Sequence, residues 1–350
     1  MSTVSPINGR GASSNPPNRF IPIYSEQGPE WVDPEDPSPK TQFFRDESRA
    51  ILATNNSPDI PFTYSLNPYR GCEHGCVYCY ARPTHEYLSL SPGLDFETKI
   101  LVKEDAPELL RKTFSSSKWV PQCVSISGVT DPYQPVERRL QLTRRCLQVF
   151  AEFRNPVAIV TKNALVTRDI DVLKELAGVN AAAVFVSVTS LDSALARVME
   201  PRTSTPEARL RAIRELAQAG VPVGVMTAPV IPGLTDHEIP AILCAAAEAG
   251  ARGAGYVTLR LPGAVADIFE QWLTQHFPAR KEKVMRRLRS VRGGKRNDTR
   301  FGVRMRGEGE WAEVFARLFQ MARKKAGIPD EFPELSAAAF RNPAERSLFD

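Results

Sequence analysis

Six short apolar runs alternate with longer amphipathic stretches between residues 62 and 262, and few folds accept that pattern. The runs at 63–68, 123–127, 157–161, 183–189, 221–226 and 255–260 read as strands, because they are short and either β-branched or closed by polar residues. The stretches at 106–114, 138–153, 168–177, 206–219 and 237–249 read as helices. Pro206 suits a first helical turn after Thr205, and Gly220 and Gly250 suit helix ends. Serial β-then-α units predict an α/β fold with a parallel sheet, open or closed. Such folds carry their chemistry at the C-terminal ends of the strands.

The flanks differ from this centre. Residues 1–45 are rich in Pro, Ser, Asn and Gly and cannot bury enough apolar surface to fold alone, so they read as a largely disordered arm. Within it, the 20–24 run and Trp31 are the residues suited to packing on the body. Residues 46–262 form the serial βα unit, and 263–350 a basic, helical extension with helices expected at 264–277, 279–291 and 310–325. Trp311, Val314, Phe315, Leu318 and Phe319 in the last of these have helical spacing and read as packing surface. Residues 280–306 hold twelve Lys and Arg against Glu282 and Asp298, a net +10 inside a chain whose whole balance is +5. No apolar run is long enough for a transmembrane helix. The first residues lack a secretory pattern, so six cysteines imply reduced thiols and a cytoplasmic location.

Three of those cysteines crowd into one loop. Cys72, Cys76 and Cys79 are spaced C-x3-C-x2-C directly after the first expected strand. Three thiolates can close round one soft metal centre, and three ligands with one open position suit a working site rather than a structural one. A zinc knot completed by His74 or His85 is the alternative, although zinc sites usually pair distant C-x2-C units. Cys146 and Cys244 lie among apolar neighbours in expected helices and read as buried and inert, and Cys123 as facing the core.

The cysteine spacing, with Tyr78 just before the last Cys, resembles the radical S-adenosylmethionine (SAM) superfamily. The runs at 127–133, 161–163, 187–189, 199–202 and 229–233 extend the resemblance to its spore photoproduct lyase-like branch, and to bacterial members labelled DNA repair photolyases. The resemblance implies a partial (β/α)6 barrel. It implies a [4Fe–4S] cluster on Cys72, Cys76 and Cys79, whose free iron chelates SAM. Reductive cleavage of SAM then gives a 5′-deoxyadenosyl radical that takes hydrogen from a substrate, with electrons from an external donor of flavodoxin or ferredoxin type.

The same resemblance suggests cofactor contacts. Tyr78 is expected near the SAM adenine. Gly128 lets the backbone approach the methionine part. Thr130 and Asp131 suit its ammonium, Lys162 and Arg202 its carboxylate, and Ser187 its ribose or carboxylate. One departure limits the reading. In the spore photoproduct lyases a hydrogen-donating Cys stands three residues before the Asp matched here by Asp131, and in this chain that position is Gly128. The hydrogen donor is therefore not assigned, with Tyr133 a speculative relay. The basic segment raises a nucleic-acid partner through residues 280–306. A nucleic-acid-binding protein with a structural metal, or a radical enzyme acting on a protein or small metabolite, are the rival readings.

Overall fold

The structure, a computed structural model, describes residues 6–20 and 39–343. Its strands are β1 (Gln42–Arg45), β2 (Leu52–Thr54), β3 (Tyr64–Leu66), β4 (Tyr69–Arg70), β5 (Lys99–Val102), β6 (Val124–Ile126), β7 (Val157–Thr161), β8 (Ala182–Ser187), β9 (Val223–Val230) and β10 (Ala254–Thr258). Its helices are α1 (Leu94–Thr98), α2 (Ala106–Phe114), α3 (Glu137–Leu140), α4 (Leu142–Phe153), α5 (Ile170–Ala177), α6 (Ser193–Met199), α7 (Pro206–Gln218), α8 (Ile239–Glu248), α9 (Val265–His276), α10 (Pro278–Ser290) and α11 (Glu310–Lys325).

The main sheet runs β10-β9-β8-β7-β6-β3-β2. Its six strands from β3 to β10 are parallel, and β2 closes one edge antiparallel to β3. These six are the strands expected from the sequence, and together with their helices they form the partial barrel. Val124, Ile126, Val157, Ile159, Val184, Val186, Val223 and Val225 are all essentially inaccessible to water. Side chains of this size each stabilise by about 1.5–3 kcal/mol when fully buried. Helix α4 shows how the outer layer is written: Leu142, Cys146, Leu147, Val149, Phe150 and Phe153 form its buried stripe. Thr205 caps α7 by accepting from the Ala208 N–H, with Pro206 in the first turn.

Two features lie outside the serial pattern. A small sheet, β1-β5-β4, stands beside the barrel, with β4 antiparallel to β5 and ending just before the cysteine loop. Its strands were not foreseen, because they are two to four residues long and β1 is exposed throughout. Residues 6–20, part of the expected arm, do not fold alone but on the body. Gly11 and Ala12 donate their N–H groups to Glu97 at 3.1 and 2.9 Å, and Ala12 is buried. Residues 21–24 and Trp31 lie outside the described residues.

The C-terminal extension packs onto the barrel through α11 against α8, while its own α9 and α10 pack on each other. Arg292 is completely buried there and bonds the carbonyls of Thr258, Leu259, Val303 and Arg304 at 2.6–3.1 Å. Cys146 is buried as expected. Cys244 is not: it faces solvent on α8 and bonds Glu248 at 3.4 Å, because the buried stripe of that helix is Ile239, Ile242, Leu243 and Ala246. Among the described residues no helix is long and apolar enough to cross a membrane.

Candidate functional site

The cysteine loop begins where β4 ends, on the side of the sheet where β6, β7 and β8 also finish. Its backbone is fixed mainly by its own chain. Cys72 donates to Phe96 O at 2.9 Å, Cys79 to Cys76 O at 3.2 Å and Val77 to Met199 O at 3.1 Å. Beneath it lies Arg82, fully buried, whose guanidinium bonds the carbonyls of Gly75, Cys76, Pro92 and Gly93 and pairs with Glu97 at 2.5 Å. A planar cation with five donors can satisfy that many acceptors at once, which a lysine could not. Gly75, at φ +65°, keeps the loop against Glu97; a Cβ there would sit 2.6 Å from Glu97 Oε2.

Cys72 and Cys76 are buried, Cys79 is partly exposed, and none forms a disulfide. Burial pushes the Cys72 thiol well above its usual range, and nearby Asp131, Cys76 and Cys79 push it further. Burial does the same to Cys76 and, opposed by Arg82, to Cys79. Any metal ligation of thiols raised in this way would release their protons. The Asp131 N–H is directed at the Cys72 sulfur, and the N–H groups of Ala81 and Arg82 at that of Cys79. Among the described residues no three Cys, His, Asp or Glu side chains converge tightly enough to grip a single ion.

Neither histidine of the zinc alternative is poised as a fourth ligand. His74 is buried, with Nδ1 3.4 Å from Asp131 Oδ2 and Nε2 3.2 Å from Asn163 Nδ2. His85 turns Nε2 to Lys99 O at 2.9 Å, and burial holds its pKa down at about 4.

The structure gathers the other expected site residues at the strand ends, though several are already occupied. Asp131 Oδ1 accepts from Thr161 Oγ1 at 2.7 Å and Tyr133 N at 2.9 Å, and Oδ2 from Lys162 N at 2.7 Å. Burial raises this carboxyl, but His74 and those donors outweigh it and hold the group below the usual range. Thr130 is tied to Asn67 and Tyr69. Lys162 Nζ bonds Ala228 O at 2.8 Å and Thr189 Oγ1 at 3.2 Å, pairs with Glu200 at 3.3 Å and lies 5.6 Å from the Tyr78 ring centre. Burial brings its pKa down to about 8. Tyr78 directs its hydroxyl to Glu200. Ser187 is buried at the end of β8, its carbonyl bonded by Arg209 at 3.0 Å. Arg202 pairs with Glu73 of the cysteine loop at 3.2 Å. Gly128 differs from these: its φ is +110° and a Cβ there would meet nothing within 4 Å. Its carbonyl accepts from Tyr80 at 2.5 Å.

Sequence reasoning passed over Glu200 and Arg209, which join these residues from below. Both are buried, they pair with each other, and Glu200 also receives Thr189 at 2.8 Å. Their signal was weak: Glu200 lies in a quoted run, but its partners are distant in sequence.

A family model for the radical SAM superfamily matches residues 66–243. An uncharacterised protein of Mycobacterium tuberculosis is 38% identical over 231 residues, spanning 65% of this chain and 68% of that one. An uncharacterised protein of Methanocaldococcus jannaschii is 30% identical over 175 residues, 50% of this chain and 63% of that one. Among solved structures, spore photoproduct lyase complexed with dinucleoside spore photoproduct aligns with a TM-score of 0.54 at 16% identity, covering 81% of this chain and 79% of the other. A variant of that lyase with bound AdoMet and dinucleoside spore photoproduct aligns with a TM-score of 0.50 at 16% identity, covering 81% and 77%. At such identity these two share the fold. The family model covers the cysteine loop and the strand ends round it, and on that match the chain belongs to the radical SAM superfamily, whose members use a [4Fe–4S] cluster and SAM.

Proposed function

We propose that Cys72, Cys76 and Cys79 hold three irons of a [4Fe–4S] cluster and that SAM takes the fourth. The observation that carries this reading is the loop itself: three free thiols within eight residues, on a backbone held by Arg82 and Glu97, with His74 and His85 both engaged elsewhere. So bound, the cluster supplies one electron to split SAM and start hydrogen abstraction from a substrate. The chain's own part is to bind, orient and exclude water. Gly128 leaves its side of the strand ends open for the methionine portion of SAM. Tyr78 borders the adenine, and Ser187 and Lys162 lie within the polar floor for its ribose and carboxylate. Lys162 shares the Glu200 carboxylate with Arg209, so it serves there as a tethered cation whose charge is only partly answered. Asp131, Thr130 and Arg202 act mainly by holding the loop to the strand ends. The electron donor is a flavodoxin or ferredoxin, and the substrate class favoured by the basic C-terminal segment is nucleic acid.

The test is anaerobic reconstitution of the full chain. The expected outcome is about four irons per chain and, with dithionite and SAM, release of 5′-deoxyadenosine. Cys76→Ser is expected to lose both. Tightly bound zinc with no cleavage of SAM would overturn the reading.

A further inference from the structure

The basic segment does not act as one surface. Arg287 pairs with Asp236, Arg296 with Asp267 and Glu270, Arg300 with Asp298 and Glu308, and Arg304 with Asp59. Arg292 is spent on buried carbonyls. Arg287, Arg292 and Arg304 hold the extension to the barrel, Arg296 and Arg300 brace it internally, and all five already have partners. Arg280 and Lys283 are different. Both are exposed, and neither has a hydrogen-bond or ion-pair partner among the described residues.

Those two line a cavity of about 350 Å³ between α10, α11 and the loop after β9. Arg280, Lys283 and Arg287 stand three and four residues apart on α10, so they share one helix face. Trp311, Val314 and Leu318 have the same spacing on α11 and make the facing wall. The apolar stripe of α11 is thus divided. Phe315 and Phe319 are buried at 1% and 3% exposure, whereas Trp311 and Val314 keep 36% and 40%. Arg287 is fixed over the Trp311 ring, 4.0 Å from its centre. Gly233, at φ +81°, opens the third wall: a Cβ there would come within 3.3 Å of Arg287 and 3.6 Å of Lys283. Asp236 is the one acid lining this cavity, and it is already bound to Arg287.

One wall is therefore cationic and unneutralised, and the other aromatic and apolar. A volume of about 350 Å³ is at the small end of ligand pockets. It suits a single compact group rather than a helix. We infer that this cavity binds one nucleoside phosphate unit, its phosphate on Arg280 and Lys283 and its base against Trp311, Val314 and Leu318. Planar bases stack on aromatic and guanidinium faces, and phosphates take point charges such as Lys283. The inference deepens the nucleic-acid half of the proposed function. It does not depend on the radical half.

The test uses the full chain, with and without cluster reconstitution, and two probes: free AMP and a short fluorescein-labelled single-stranded DNA. Binding is followed by anisotropy for the strand and by tryptophan quenching for AMP. Saturable binding of either probe is expected, and whichever binds identifies the source of the phosphate. Lys283→Glu is expected to weaken it about tenfold and, for the strand, to lower the dependence on salt by about one unit of slope. Trp311→Leu should abolish the quench while leaving the thermal midpoint unchanged, since the ring is partly exposed. Failure of both probes at low salt overturns the inference, as does binding that both variants leave untouched. Release of 5′-deoxyadenosine is read separately, so either proposal can fail alone.

Discussion

At Glu200 one buried carboxylate meets Lys162 and the hydroxyls of Tyr78 and Thr189 on one oxygen and Arg209 on the other. Two cations share that single charge inside the protein, so its removal leaves both uncompensated. Breaking a buried pair from one side typically costs about 3–5 kcal/mol. Glu200→Gln is expected to lower stability by about that much, read as a fall in the urea midpoint with the slope unchanged. A shift under about 1 kcal/mol would show that water reaches the cluster of charges. Very little of this was legible beforehand. A glutamate followed by proline looks the same on a surface turn, and only the parallel order of β7, β8 and β9 brings residues 78, 162, 189, 200 and 209 together. The cysteine spacing was legible as a pattern because it is local, and Gly128 as a turn because its φ of +110° is one that side-chain-bearing residues rarely adopt.

Among elements, the segment over residues 6–20 shows how little apolar surface is needed when a buried acceptor waits. Two successive N–H groups, of Gly11 and Ala12, reach the two oxygens of Glu97, the same carboxylate that holds Arg82 beneath the cysteine loop. A Cβ on Gly11 would lie 1.7 Å from Gly75 O, inside the loop's own backbone. Gly11→Ala is therefore expected to lift the segment off. Limited trypsin digestion checks this: cleavage after Arg10 should become fast in the variant while the barrel stays intact. Unchanged protection would mean the docking is held elsewhere. Composition could not reveal this contact, because a Pro- and Ser-rich stretch looks unstructured unless its acceptor is known. The six main strands were legible for the opposite reason. Their short apolar runs are buried throughout in β6, almost throughout in β8 and at alternate residues in β7, and that requirement is written locally in each run.

For the whole molecule, Arg292 ties the extension to the barrel. Its guanidinium bonds carbonyls at the end of β10 and in the 303–304 turn, and burial holds its pKa down at about 10. Arg292→Met strands those carbonyls, each worth about 1–3 kcal/mol when buried unmet. A loss of about 3 kcal/mol is expected in one cooperative unfolding transition. Two separate transitions would show that the extension folds independently. A count of charges placed this arginine among the phosphate-binding candidates, since composition does not distinguish a buried cation from an exposed one. The bonds from Arg82 to the loop carbonyls have a consequence for how the fold tolerates change. One buried guanidinium, answered by Glu97, sets the course of the loop between Gly75 and Gly93, so the placing of Cys76 and Cys79 hangs on two residues that carry no thiol.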